Sequence, residues 1–357
     1  MKLGLFLGPV TAPGRPPFDT AQWLLQVLRW ADELGYGEAW IGEHFTIGWE
    51  PLPSPDLLIA QALRETKRIV LAPGVHLLPY HNPVELAYRV AYLDHLAQGR
   101  YMLGIGSGAF ESDARLFGTR GHNYDMMEEA LKIMLHIWTS DRPFQFQGKY
   151  WQFEFPDYDE LMAGPHLKPF QKPHPPIGMA GLSPHSSTLK LAGERGFLPL
   201  SLHLIAASLD THWAAYEEGA AKGGKKADRR SWRVGREFLV ADTDSEALDL
   251  AINGAMGRSY RDFMLPALKR FGMARHIVPD PALTEKGVTV EYLAKNVWLV
   301  GSPSTVEKRL RQQYEQTGGF GTLLGLVWDY RDNPEPWRRS LELLAKEVLP
   351  RVADLDP

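Results

Sequence analysis

The sequence predicts an α/β fold, a (β/α)8 TIM barrel, and three observations carry the prediction. Eight short apolar runs, each followed by a stretch with helical apolar spacing, read as one continuous alternation from Lys2 to Val348. In the first half of the chain each strand–helix unit takes about 30 residues, the length of a βα crossover. No proline-rich linker parts two cores, so residues 1–357 are expected to form a single domain. A doubly wound sheet is the other arrangement the alternation allows.

The first strand is Lys2 to Leu7, ended by Gly8-Pro9 and a proline-rich loop to Pro17. Asp19 or Thr20 can cap the next helix, where Trp23, Leu24, Val27, Leu28, Ala31 and Leu34 recur at helical spacing until Gly35 stops it. Ala39 to Ile41 is the second strand and runs into Gly42-Glu43-His44-Phe45; a capped helix follows from Ser54 to Arg64. Ile69 to Val75 is the third strand, closed by His76-Leu77-Leu78-Pro79. Its helix, Pro83 to Ala97, carries proline in the first turn, where no N–H is missed. Tyr101 to Ile105, bounded by glycines, is the fourth strand, and Asp125 to Trp138 the fourth helix.

The rhythm then breaks at Phe144 to Pro176, an insertion rich in aromatics and prolines. It resumes with strands at Ile177 to Ala180 and Leu198 to Leu202, and helices at Ser186 to Glu194 and Leu209 to Ala221. Trp232 to Ala241 is the seventh strand and Asp244 to Phe263 its helix; Pro266 to Val297 is a second insertion. A helix from Ser302 to Gln316, a strand at Leu323 to Val327 and a helix from Pro336 to Val348 complete the chain.

Composition narrows the function. Hydrophobic residues make up 44% and charged residues 23%, values of a globular protein with a sizeable core. A net charge of −4 gives nucleic acid and acidic membrane surfaces no hold, and the basic run Lys222 to Arg230, broken by Gly and Asp, reads as a solvated loop. With no cysteine there are no disulfides, thiolate nucleophiles or iron–sulfur ligands, which fits a reducing compartment. No run approaches the ~20 apolar residues of a membrane span, so a cytoplasmic protein is expected.

Barrels place chemistry just past the strand ends. Those ends here are Gly8, Glu43-His44, Gly74-Val75-His76, Gly106-Ser107-Gly108, Gly181-Leu182-Ser183, His203 and Trp328-Asp329. Glu43 and His44 are either a proton-handling pair or a structural ion pair. Ser183, Ser186 and Ser187 precede a helix, where hydroxyls cap the first turn and free N–H groups bind phosphate. Phe45, Trp49, Tyr80, Phe110 and Trp328 would line an apolar mouth suited to a flat ring and a hydrophobic substrate. The twelve histidines are scattered, with no H-E-x-x-H, so no metal site is expected. The glycines at 104, 106 and 108 lack the third member of a dinucleotide fingerprint, position 111 being Glu111.

Taken in order, these stretches resemble the bacterial luciferase-like flavin-dependent monooxygenases. The resemblance lies in MKLGLFL at the start, WIGEHF (40–45), LAPGVHLLPYHNPVELA (71–87), GRYMLGIGSG (99–108), AGERGF (192–197) and VGSPSTV (300–306). SPDLLIA (54–60), HLLP (76–79) and TGGFGTL (317–323) are similar to the diketocamphane and limonene monooxygenases of that family. The resemblance implies a barrel that binds reduced FMN, supplied by a separate flavin reductase, and reacts with O2 through a flavin peroxide to oxygenate a terpenoid or a cyclic ketone or alkene. It implies a homodimer, a non-prolyl cis peptide at Gly74–Val75, and catalytic roles for His44 and Glu43. Gly74, Val75, His76, Ser107, Gly181, Leu182, Ser183 and Ser186 would contact the cofactor.

Two departures from the luciferases stand out: Ser107 replaces their phosphate-binding arginine, and Gly181-Leu182-Ser183 their Glu-Ser pair. Hydroxyls and backbone N–H groups, with Arg115 or Arg195, are left to hold the phosphate, and light emission is put in doubt. A deazaflavin-dependent oxidoreductase and a non-catalytic flavin-binding subunit are the other readings of the same barrel.

Overall fold

The computed structural model describes residues 1–8, 10–155, 167–202, 206–272, 274–278, 280 and 282–357. Pro9 and His203, both named above at strand ends, fall outside these residues. The strands in chain order are β1 (Lys2–Leu7), β2 (Glu38–Ile41), β3 (Val70–Pro73), β4 (His76–Leu77) and β5 (Leu103–Gly106). Then come β6 (Gln145–Gln147), β7 (Gln152–Glu154), β8 (Ile177–Gly181), β9 (Leu198–Leu202) and β10 (Arg233–Arg236). The last are β11 (Phe238–Val240), β12 (Leu299–Gly301) and β13 (Thr322–Leu326).

Nine of these form one parallel sheet in the order β3-β2-β1-β13-β10-β9-β8-β5-β4. A parallel bridge from Leu71 to Tyr101 joins β3 to the approach of β5, so the sheet comes round on itself as the expected TIM-type barrel. The third strand, expected at Ile69 to Val75, is β3 and stops at Pro73; the chain continues through Gly74–Val75, whose peptide bond is cis, into the short strand β4, expected as part of the closing loop. Strand β3 pairs with β2 and β4 with β5.

One indole organises the barrel interior. Trp40, on β2, is fully buried, and its ring reaches across to β5 and β8. A Cβ on Gly178 would sit 2.7 Å from Trp40 Cη2, and one on Gly74 2.8 Å from Trp40 Cβ. Gly74, Gly104 and Gly178 therefore leave the room that the Trp40 side chain fills in the bore. Below, Trp40 Nε1 donates to Glu38 (2.8 Å), and Arg233 from β10 donates to both Glu38 oxygens at 3.0 Å, so this buried carboxylate is paired.

Helices α1 (Pro17–Leu34), α2 (Pro55–Glu65) and α3 (Pro83–Ala97) all carry proline in the first turn. After α4 (Glu111–Leu116) come α5 (Asn123–Thr139), α6 (Ser187–Arg195) and α7 (Ala206–Lys222). Asn82 caps α3 through Val84 and Glu85 N–H, and Ser186 caps α6 through Leu189 N–H.

Three further expectations change. The seventh strand ends in the barrel at Arg236; its continuation β11 turns out to pair with β12 in a separate two-stranded sheet. The helix expected at 244–263 is broken into α8 (Asp244–Asn253), α9 (Ala255–Ser259) and a π-turn at Tyr260–Met264, leading into α10 (Leu265–Arg270). Pro266, which lacks an N–H, interrupts the regular ladder there. The insertions also hold structure: the β6–β7 hairpin in the first, and α10 with α11 (Val290–Asn296) in the second. Among the described residues no helix is long and apolar enough to cross a membrane.

Candidate active site

A cavity of about 560 Å³ opens at the C-terminal ends of the barrel strands. Its walls come from Phe6 and Gly8 at the end of β1, His44 after β2, Gly74, Val75 and Leu77 around the cis bond, and Gly106 to Phe110 from the last residue of β5 onward. Ala180 near the end of β8, then Leu182, Ser183 and Ser186 to Thr188 beyond it, and Leu326 to Trp328 at and beyond the end of β13 complete them. Phe263, Met264, Leu268 and Phe271 roof it from the segment between α9 and the end of α10. Leu268 and Phe271 belong to the second insertion, Pro266 to Val297, and Phe263 and Met264 precede it. Among the described residues no lysine or arginine lines the cavity.

Glu43 and His44 do not form a pair. Glu43 turns inward, 1% exposed, and accepts from Leu77 N–H (2.7 Å) and His81 Nε2 (2.8 Å). Its second oxygen also lies 3.4 Å from His76 Nδ1, while His76 Nε2 lies 2.8 Å from Asp56. Arg89 Nε stands 2.6 Å from Asp56, and Arg89 Nη2 donates to His81 Nδ1 at 3.3 Å. An arginine only donates, so His81 carries its proton on Nε2, towards Glu43. The result is a closed ring, Glu43, His76, Asp56, Arg89, His81, in which Glu43, His76 and Asp56 are buried and Arg89 and His81 reach partly to the surface.

The ring balances two carboxylates against two cations. Burial alone would push His76 down, but Asp56 and then Glu43 outweigh it and raise His76 to about 10. Burial would likewise raise Glu43, but the charge and hydrogen bond of His76, then His81, hold it down at about 2. Asp56 is lowered against its burial by His76 and Arg89. Glu43, His76 and His81 bring three donor atoms within 4.8 Å of one another, a spacing that suits a metal ion. In the ring those atoms are spent on hydrogen bonds to each other and to Asp56 and Arg89.

His44 turns the other way, into the cavity. Its Nε2 is 3.1 Å from Glu50 Oε2, its ring stands edge-on to Phe110 at 5.2 Å, and its Nδ1 is buried with no partner among the described residues.

Of the residues expected at a cofactor, Gly74, Val75, Ser107, Leu182, Ser183 and Ser186 line the cavity. His76 and Gly181 do not. The His76 side chain is fully buried in the ring, and the face of Gly181 where a Cβ would stand meets Leu189 and His212. The glycines beside Ser107 make room for protein. A Cβ on Gly106 would lie 2.6 Å from Val75, and one on Gly108, at φ 86°, 2.5 Å from the Tyr80 hydroxyl. Asn123 Nδ2 donates to Ser107 O (2.8 Å) and to the Tyr80 hydroxyl (3.0 Å), which pins this loop.

The serine loop is pinned from below. Trp232 Nε1 donates to Ser201 Oγ (2.9 Å), which stands 2.9 Å from His212 Nδ1, and His212 Nε2 lies 2.7 Å from Ser183 O. Burial pushes His212 down to about 4, only partly opposed by the Ser183 carbonyl, so the ring is neutral and Nε2–H donates. Arg195 sits at the far end of α6, and Arg115 is not a cavity residue. Of the expected aromatics, Phe110 and Trp328 line the cavity. Phe45 and Tyr80 pack with Phe117 beside it, and Trp49 stacks on Phe263 at 5.7 Å. Asp329, the other acid considered at a strand end, is held by Thr11 (2.8 Å) and Arg15 (2.6 Å).

The family model described as luciferase-like monooxygenase matches residues 1–320. The chain is 37% identical over 372 residues to 3,6-diketocamphane 1,6-monooxygenase of Pseudomonas putida, covering 99% of this chain and 98% of that one. It is 30% identical over 339 residues to limonene 1,2-monooxygenase of Rhodococcus erythropolis, covering 93% and 82%. A solved type II Baeyer–Villiger monooxygenase, the oxygenating constituent of 3,6-diketocamphane monooxygenase from P. putida in complex with FMN, superposes with a TM-score of 0.93 at 38% identity over 98% of both chains. Motifs, barrel and full-length relatives agree: the chain belongs to the luciferase-like monooxygenase family.

Proposed function

We propose that this chain is the oxygenating component of a two-component, FMN-dependent monooxygenase acting on a hydrophobic, uncharged substrate of cyclic ketone or terpenoid type. The observation that carries the reading is the cavity. It is apolar along its roof and walls, it bears polar groups at two separate places, and it lies in a chain 38% identical to an FMN complex.

Those two places fit the cofactor. At one, the capped first turn of α6 offers its free N–H groups with Ser183, Ser186, Ser187 and Thr188, which suits a phosphate. At the other, His44 lines the cavity together with Gly74, Val75 and Leu77, where a flat ring system would rest. Reduced FMN, when bound, supplies the two electrons that let one atom of O2 enter the substrate while the other leaves as water.

The chain's own residues do the rest. Phe263, Met264, Leu268 and Phe271 cover the cavity and keep bulk water from the reacting groups. His44, whose ring lines the cavity, holds or moves a proton there. Glu43 acts at one remove, by holding the wall through Leu77. An uncharged substrate suits a cavity whose described lining has two carboxylates, Glu43 and Glu50, and no cation.

Anaerobic titration with FMNH2, then air in the presence of cyclic ketones and terpenes, tests the reading. Tight binding of the reduced flavin and a product one oxygen heavier support it. No binding of reduced FMN, or binding that yields hydrogen peroxide alone across the panel, sinks it.

A further inference from the structure

We propose that His212 is the positioning residue for the phosphate end of the cavity: its bond to Ser183 O keeps that carbonyl turned from the anion, so that hydroxyls and N–H groups meet the phosphate. The proposal rests on the reading of this loop as the seat of the FMN phosphate. His212 belongs to no motif that the sequence singles out, and it does not itself line the cavity.

The Ser183–Pro184 peptide is the weak point of an anion-binding loop. Pro184 has no N–H, so this peptide carries a carbonyl and no donor. Turned into the cavity, it would set the negative end of a dipole against a phosphate and offer no hydrogen bond in exchange. Here the carbonyl oxygen accepts instead from His212 Nε2 at 2.7 Å, and His212 is fully buried behind the lining.

Each proton behind that bond has one place to go. A carbonyl only accepts, so Nε2 carries the proton; burial keeps the ring neutral, so Nδ1 is left with a lone pair. Ser201 Oγ, 2.9 Å away, donates to it and in turn accepts from Trp232 Nε1 at 2.9 Å. Both side chains are fully buried, so the run from indole to hydroxyl to imidazole points one way, towards the loop.

Further contacts join the loop to α7 and α7 to α6. His185 N–H donates to Thr211 Oγ1 at 3.1 Å, with His185 in the left-handed region at φ 51°. Gly181 leaves room for the imidazole, since a Cβ there would stand 3.0 Å from His212 Cε1. The two helices meet at glycines: a Cβ on Gly193 would run into Tyr216 O, and one on Gly219 into Lys190 O.

Isothermal titration with FMN and with riboflavin, which lacks the phosphate, tests this. His212→Leu fills the space without a donor; its Kd for FMN is expected to rise at least about tenfold, with that for riboflavin within about twofold of wild type. His212→Gln, whose amide can donate to Ser183 O, is expected to bind FMN within about threefold of wild type. A His212→Leu protein that prefers FMN as strongly as the wild type, equal weakening of both ligands, or a His212→Gln protein as weak as His212→Leu overturns the proposal. A wild type with no preference for FMN over riboflavin refutes the phosphate reading of the loop, and the proposal falls with it.

Should His212→Leu fail to fold, the wild type still decides. In nitrogen NMR of histidine-labelled protein at about pH 7, the His212 signal is assigned by its absence from His212→Gln. The ring is expected to be neutral and protonated on Nε2 both before and after FMN is added. A proton on Nδ1 in either state overturns the proposal.

Discussion

The carboxylate of Glu43 accepts the backbone N–H of Leu77 at 2.7 Å, across the place where β2 and β4 share no ladder. Elsewhere in the barrel, main-chain pairing holds neighbouring strands; here a side chain does it, and the ring behind keeps that side chain charged. Glu43→Gln removes one of two buried anions from a ring of balanced charge and leaves His76 facing Asp56 alone. Breaking one member of such a set costs about 3–5 kcal/mol. Urea unfolding of the variant should show a loss of that size; a change under about 1 kcal/mol would mean the ring is not what holds the wall.

The ring also sets how stability varies with pH. His76 is raised from 6.5 to about 10, so its contribution is complete below 6.5 and is lost as pH climbs towards 10. Glu43 is lowered from 4.5 to about 2, so its contribution is complete above 4.5 and is lost as pH falls towards 2. The two windows overlap between 4.5 and 6.5, where the ring stabilises most. Unfolding free energy measured from pH 6 to 9 should fall in the wild type, and His76→Gln should flatten much of that slope. A parallel slope in the variant would remove His76 as its source.

His44 faces the cavity and makes no contact with the ring, so its replacement should spare the fold. His44→Ala is expected to keep the melting temperature and the affinity for reduced FMN close to wild type. Coupled oxygenation should drop about 100-fold, the scale of a lost proton-transfer group. The quantity to follow is hydrogen peroxide released per FMNH2 consumed, which should rise as product falls. An unchanged ratio would take His44 out of the chemistry.

Gly178 gives a test of the barrel interior away from the cavity mouth. A methyl group there would meet Trp40 Cη2 at 2.7 Å and Leu200 Cδ1 at 2.9 Å. Neither side chain has free space to retreat into, since Trp40 and Leu200 are fully buried. Gly178→Ala should cost about 1–3 kcal/mol through overpacking, with the cavity residues unmoved. Gly178→Ala combined with Trp40→Phe, which shortens the ring on that side, should recover part of the loss in thermal unfolding.

Much of this was legible in the sequence because period and strand-end position are local properties. Tyr101 to Ile105 and the glycines beyond it could be read as a strand and a bare loop from the residues alone, and the strand lies at Leu103 to Gly106. The seventh strand could not be, because Trp232 to Ala241 reads as one extended stretch and only the partners of its two parts, β13 for β10 and β12 for β11, separate them. The ring was hidden for another reason. Asp56 and Arg89 lie on helices that read as ordinary amphipathic surface, and only the packing of α2 and α3 brings them to His76 and His81. Glu50 had no periodic signal at all, being one acid in an irregular loop. His76 was misplaced because a residue after a strand end has two ways to face, and a two-residue strand gives no alternation to choose between them.

Phosphate binding without a cation is the most exposed part of the functional reading, and it can be separated from the chemistry. The described lining offers hydroxyls and the N-terminus of α6 where a luciferase-type arginine is missing, so affinity for the phosphate should come from oriented dipoles and hydroxyls. Ser183 and Ser187 are exposed at the cavity and do not cap α6; the cap is Ser186. The double variant Ser183→Ala/Ser187→Ala should therefore fold as well as the wild type. Its Kd for FMN should rise about tenfold, ~1.4 kcal/mol, from two lost hydrogen bonds, while its Kd for riboflavin, which lacks the phosphate, stays the same. Isothermal titration with both ligands gives the ratio directly. If FMN and riboflavin weaken together, the serines shape the ring site instead; if neither weakens, the phosphate is held by another group.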